Sequence, residues 1–182
     1  PVQILWNNMV EDTFPNIAYA FEPKEEDLMK RGPTPQKSPL FTREMLFLTV
    51  GNVIFNFICI FYFWFFWQHL NLGLDYARTM IFGVISVDTG FVIFSYKNLK
   101  KNIWKINPFS NKVLNVAALF TLLGFIAVIY IPFLQNLFYT VTLGIKSWLF
   151  LIANALLTVF FIELIKWYFI VRKERIKKHK TI

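Results

Sequence analysis

Residues 45–68, MLFLTVGNVIFNFICIFYFWFFWQ, contain no charged side chain. At about 1.5 Å per residue, a helix of this length crosses the ~30 Å hydrocarbon core of a bilayer. Its second half, from Phe61 to Trp67, is a run of aromatic rings suited to a membrane–water interface. A backbone enters lipid only with its hydrogen bonds made internally, so the stretch reads as a membrane-spanning helix. Comparable apolar stretches follow at 76–96, 113–131 and 148–171. The expected fold is therefore all-α and polytopic.

The whole composition agrees. Of 182 residues, 56% are hydrophobic and 16% charged, with mean hydropathy +0.48. A soluble domain carries about 25% charged residues. The single cysteine, Cys59, excludes a disulfide framework and a cysteine-based metal site. The net charge of +8 reports topology and not a nucleic-acid partner, because its distribution is one-sided. Seventeen of the nineteen Lys and Arg residues fall in or beside 22–44, 97–112 and the end of the chain, leaving Arg78 and Lys146 for the opposite side. Positive-inside bias makes loops 22–44 and 97–112 and the tail 172–182 cytoplasmic.

A fifth, weaker span occupies residues 2–21, giving five transmembrane helices with the first interrupted near Glu11–Pro15. Asn8, Glu11 and Asp12 are spaced i, i+3, i+4, which places all three on one face of an α-helix. Pro15 shares that face and leaves the carbonyl of Glu11 without its helical N–H partner. Each carboxylate at membrane depth costs roughly 2.5–3.5 kcal/mol, a cost usually tied to function. Oxygen ligands plus a freed carbonyl suit a hard cation, so this stretch reads as half of a cation site. The competing reading is a polar face turned to water. The flanking Ile4-Leu5-Trp6 and Ile17-Ala18-Tyr19 argue against a simple loop.

The span 76–96 holds one acid, Asp88, either an ion ligand or a polar contact between helices. Arg78 is about 15 Å away along the same helix, too far for a direct pair. Gly83 and Gly90 allow close helix approach. The short link after residue 68 predicts an antiparallel hairpin with the next span, and residues 132–147 are expected along the outer interface. Glu163 and Lys166, at i, i+3, read as a structural pair, with Lys166 near enough to the cytoplasmic end to snorkel. His69 and His179 lack zinc-site spacing, and the seven glycines build no phosphate-cradling loop.

The stretch Val2-Gln-Ile-Leu-Trp-Asn-Asn8, followed by Val10-Glu-Asp12 and Pro15, resembles the sixth transmembrane helix of type II P-type cation ATPases of the calcium-pump kind. Phe21-Glu-Pro-Lys-Glu-Glu-Asp-Leu-Met-Lys-Arg31 is similar to the loop that follows it in that family. Ala77-Arg-Thr-Met80 matches the start of the eighth helix, and Glu163-Leu-Ile-Lys166 the tenth. The resemblance covers residues 1–182 as a C-terminal transmembrane domain, helices six to ten. It implies that Asn8 and Asp12 ligate the transported cation and that Glu11 occupies a ligand position where calcium pumps often have Thr. The eighth-helix ligand position aligns with Thr89, one residue after Asp88.

The same resemblance implies that the phosphorylated aspartate, the Mg-ATP site and helices one to five belong to a missing N-terminal part of the polypeptide. The start at Pro1 fits a piece of something longer. This chain alone would then be no ATPase; it holds no cofactor, and its partners are that missing part and the lipid bilayer. Calcium is the leading cargo on family grounds. Loop 22–44, with its prolines and the run Glu25-Glu26-Asp27, would be a strut against the phosphorylation domain. Glu11 either binds the cation or carries a proton, and its place beside Asp12 favours the second. A self-contained channel or secondary transporter, and a non-catalytic membrane scaffold, are the alternatives.

Overall fold

The computed structural model describes residues 2–24, 42–70, 73–99 and 101–171. Loop residues Glu25, Glu26 and Asp27 and the tail 172–182 lie outside them. Among the described residues there are helices and turns and no strand.

The first helix, α1 (residues 2–19), has three consecutive parts: α-helical Val2–Trp6, π-helical Asn7–Asp12 and α-helical Thr13–Tyr19. Pro15 explains the middle one. It has no N–H for the carbonyl of Glu11, and its ring crowds that carbonyl, so the preceding turn widens. Thr13 Oγ1 donates to the carbonyl of Asn8 at 2.9 Å across the widened turn. The interruption is thus a wide turn inside a continuous helix.

Four of the described helices, α2 (Arg43–Leu70), α3 (Leu74–Tyr96), α4 (Lys112–Tyr130) and α6 (Ile145–Lys166), are long and apolar enough to cross a membrane; α1 is not among them. Between α4 and α6, the short α5 (Pro132–Phe138) starts at a proline and stops at Tyr139, whose φ of 54° is left-handed. Two 3₁₀ turns, Ile103–Lys105 and Pro108–Ser110, fill the link from α3 to α4. The backbone after α6 continues as a π turn, Trp167–Val171.

The central helix is α3. It packs along α6 and α4 and also touches α1 and α2. Its glycines make this possible: a Cβ on Gly83 would sit 2.7 Å from Phe125 of α4 and 2.9 Å from Leu151 of α6. At Gly90 the side chain of Leu122 would be 3.0 Å away. The short link does not make α2 and α3 main partners. They touch, but α2 lies chiefly against α6 and the π turn after it, through stacked pairs Phe55–Phe161 at 4.8 Å and Phe47–Phe169 at 4.6 Å. Rings that stack well outweigh the proximity that a short connection provides. The other face of α2, with Val53, Phe57 and Phe61, is exposed as lipid contact requires.

The start of α1 is locked by Trp6, whose ring meets Phe138 edge-on at 5.4 Å and covers Gly124 of α4. A Cβ at Gly124 would lie 2.7 Å from Trp6 Cζ2. Gly124→Val is therefore expected to lower stability by about 1–3 kcal/mol, the usual cost of overpacking. Thermal unfolding in detergent measures it. Gly144→Ala, where an added Cβ meets nothing within 4 Å, is the clash-free control and should cost less, only what alanine loses to glycine as the N-cap of α6.

Candidate functional site

A cavity of about 420 Å³ opens between α1, α2 and α3. Its polar lining is Glu11, Asp12, Asn16 and Tyr19 from α1, Asn52 and Asn56 from α2, and Asp88, Thr89 and Tyr96 from α3. These donors are all oxygen or amide groups, the chemistry of a hard-cation site. Tyr19 donates to the carbonyl of Ile93 at 2.7 Å and so pins the end of α1 to α3.

The expected α1 stripe is split. Glu11 is buried, 1% exposed, and faces α3, where Ser86 Oγ donates to its Oε1 at 2.5 Å. With its amide in the orientation that satisfies its neighbours, Asn7 donates to Glu11 Oε2 at 3.2 Å. Asp12 lines the cavity and is exposed at its mouth, whereas Asn8 is exposed and lines no part of it. The π turn is the cause: a wider turn rotates Glu11 away from the face that an α-helix would have given it with Asn8.

Across the cavity Asp88 is 7% exposed, and its Oδ1 has no hydrogen-bond partner among the described residues. A buried acceptor left open in this way is costly unless something fills the place. Thr89 is half-buried in the same wall. Among the described residues no Lys or Arg pairs with these carboxyls. Arg78 is held by Asp75 at 3.4 Å and Lys166 by Glu163 at 2.8 Å. No three His, Cys, Asp or Glu side chains among the described residues come together closely enough to hold a metal by themselves.

Several contributors were not singled out from the sequence. Asn52 and Asn56 stand at i, i+4 in an otherwise apolar span, and Asn56 donates to Asn52 Oδ1 at 3.0 Å. Asn154 and Thr158 repeat that spacing on α6, both buried. Polar pairs at this spacing inside apolar spans were the available signal. Ser86 offered none beyond its place two residues before Asp88.

Two polar clusters outside the cavity fasten the loops. Lys166 is fully buried and does not snorkel. Its Nζ donates to Glu163 Oε1 and to the carbonyl of Ser95, each at 2.8 Å. The other oxygen of Glu163 accepts from Asn102 Nδ2 and the Ile103 backbone, both at 2.9 Å. The correction has a physical reason: the chain folds a loop over this end of α6, so the ammonium finds acceptors inside instead of at the surface. In the second cluster, Glu22 pairs with Lys97 at 3.3 Å and accepts from Asn111 at 3.0 Å. Asn111 also caps α4 by accepting from the Leu114 N–H.

The family described as Cation transporting ATPase, C-terminus, matches residues 1–168. The chain is 29% identical over 181 residues to a calcium-transporting ATPase 1 of Bacillus cereus, covering 91% of this chain and 20% of that protein. It is 30% identical over 168 residues to a calcium-transporting ATPase of Bacillus subtilis, covering 88% and 18%. Against the calcium-transporting ATPase type 2C member 1 of Pongo abelii it is 30% identical over 182 residues, covering 98% and 19%. The chain thus spans about a fifth of the length of the curated relatives it matches.

Proposed function

This chain belongs to the cation-transporting ATPase C-terminal family, and we propose that it is the ion-binding membrane part of an ATP-driven cation pump. It is a multi-pass membrane protein. The observation that carries the proposal is the cavity in which Glu11, Asp12 and Asp88 approach from two helices with no cationic partner among the described residues. Buried acids left without counter-charge are stable only when a cation or a proton neutralises them. Calcium takes six to eight oxygen ligands. The exposed Asp12 and Asn8 then complete their coordination with oxygens from the remaining helices of the same polypeptide. Mg-ATP bound in a domain outside this chain would supply the energy, and loops 22–44 and 97–112 and the C-terminal tail would face the cytoplasm.

Calcium as cargo is tested by ATP-driven ⁴⁵Ca uptake into vesicles carrying the full-length pump. Uptake at micromolar calcium, undiminished by excess sodium or potassium, is expected. No ATP-driven ⁴⁵Ca uptake above background, with ⁵⁴Mn taken up by the same vesicles, would reassign the cargo.

Glu11 is buried, without a cationic partner among the described residues, and lies beside Asp12, so we assign it the role of proton carrier rather than sole ligand of the ion. Protons and cations would then compete for the site, and apparent ion affinity would fall as pH drops through neutrality. Glu11→Gln removes the exchangeable proton and is expected to flatten that dependence about tenfold per pH unit toward none. ATPase activity against pH, for parent and variant, reads it out. Superimposable profiles would leave Glu11 a structural residue.

A further inference from the structure

The chain carries a second cavity, of about 390 Å³, on the far side of the Glu163 cluster. Its floor is one face of α6 and the π turn that continues it, with Phe160, Leu164 and Trp167 at i, i+4, i+7 and 54%, 47% and 49% exposed. Its wall is the turn that carries Trp104 and Lys105. Trp104 is 73% exposed, and among the described residues no ion pair engages Lys105.

We propose that this groove binds one anionic phospholipid of the adjacent leaflet, its phosphate against Lys105 and an acyl chain along Phe160 and Leu164. Four observations favour that occupant. The lining is apolar along the helix and cationic at one end, which is the shape of a lipid. Two indoles flank it, and indoles settle at headgroup depth. The turn that forms its wall is fastened without any ligand, because Asn102 and the Ile103 backbone N–H both donate to Glu163. Glu163 itself is neutralised by Lys166, so it does not repel an anion. The chain's own C-terminal residues, which include Arg172, Lys173 and Arg175, are an unsuitable occupant because they repeat the positive charge of Lys105.

The test is tryptophan quenching by brominated lipid, with the full chain reconstituted in mixed vesicles of phosphatidylcholine and phosphatidylglycerol. The quenching assigned to the groove is the part lost in the Trp104→Phe/Trp167→Phe variant. Brominated phosphatidylglycerol is expected to compete for it about fivefold better than brominated phosphatidylcholine, the effect of one lysine beside an anionic headgroup. Lys105→Gln should reduce the ratio to about one, whereas Lys105→Arg and Lys146→Gln should keep it. Equal quenching by the two lipids in the parent chain would overturn the proposal. So would a preference that Lys105→Gln leaves intact, or quenching relieved by millimolar inorganic phosphate, which would mark a soluble-anion site instead.

Discussion

In the pump proposed above, Asp12→Asn is expected to abolish phosphorylation by ATP at micromolar calcium while leaving expression and folding intact. The substitution keeps the shape of the side chain and removes one negative charge. Asp12 is the cavity carboxylate with the least to do inside this chain: it is exposed, with no ion pair among the described residues, unlike Glu11, which Ser86 and Asn7 hold. A carboxylate so free at a cavity mouth is best used as a ligand shared with a neighbouring helix. Ligand charge tunes calcium affinity over several decades, so the apparent affinity should fall about 100-fold or more. Phosphoenzyme formation from labelled ATP, titrated with calcium, measures it directly. Folding is checked by the thermal unfolding midpoint in detergent, which should match that of the parent. Normal calcium-stimulated phosphoenzyme in the variant would remove Asp12 from the site.

Lys166→Met should have the largest effect on stability. The ammonium is fully buried and shared between Glu163 and the carbonyl that ends α3 at Ser95. Removing it strands a buried carboxylate, a change that typically costs about 3–5 kcal/mol. The loss should appear as a lower unfolding midpoint in detergent and faster hydrogen exchange in residues 101–111, because Glu163 also anchors Asn102 and Ile103. The double variant Glu163→Gln/Lys166→Met should recover much of the stability. It removes both charges, while the Gln carbonyl still accepts from the Ile103 N–H. A double variant no more stable than Lys166→Met would show that packing of the lysine stem, not its charge, holds this end of α6.

The fold class was legible because it rests on quantities that a sequence carries: length of apolar run, absence of charge and position of prolines. The run at 45–68 and its three companions became α2, α3, α4 and α6. Gly83 and Gly90 marked the close approach of α4 and α6 to α3. The chemistry of the candidate site was legible too, since Glu11, Asp12 and Asp88 are acids in otherwise apolar segments.

What only the tertiary structure decided is which faces meet. Helices in lipid are apolar on every side, so their sequences carry little of the amphipathic signal that orients a soluble helix. Nothing local therefore said that α2 would bring Asn52 and Asn56 to Asp88, or that α2 would prefer α6 to its neighbour in sequence. The π turn before Pro15 is the sharpest case. The proline announced a disturbed helix, but whether it would kink, break or widen depended on the packing of Trp6 against Gly124 and of Glu11 against Ser86. By widening, it turned Glu11 inward and left Asn8 outside. Lys166 makes the same point from the other end of the chain. Its spacing to Glu163 is a local fact, but its burial follows from a distant loop that closes over it.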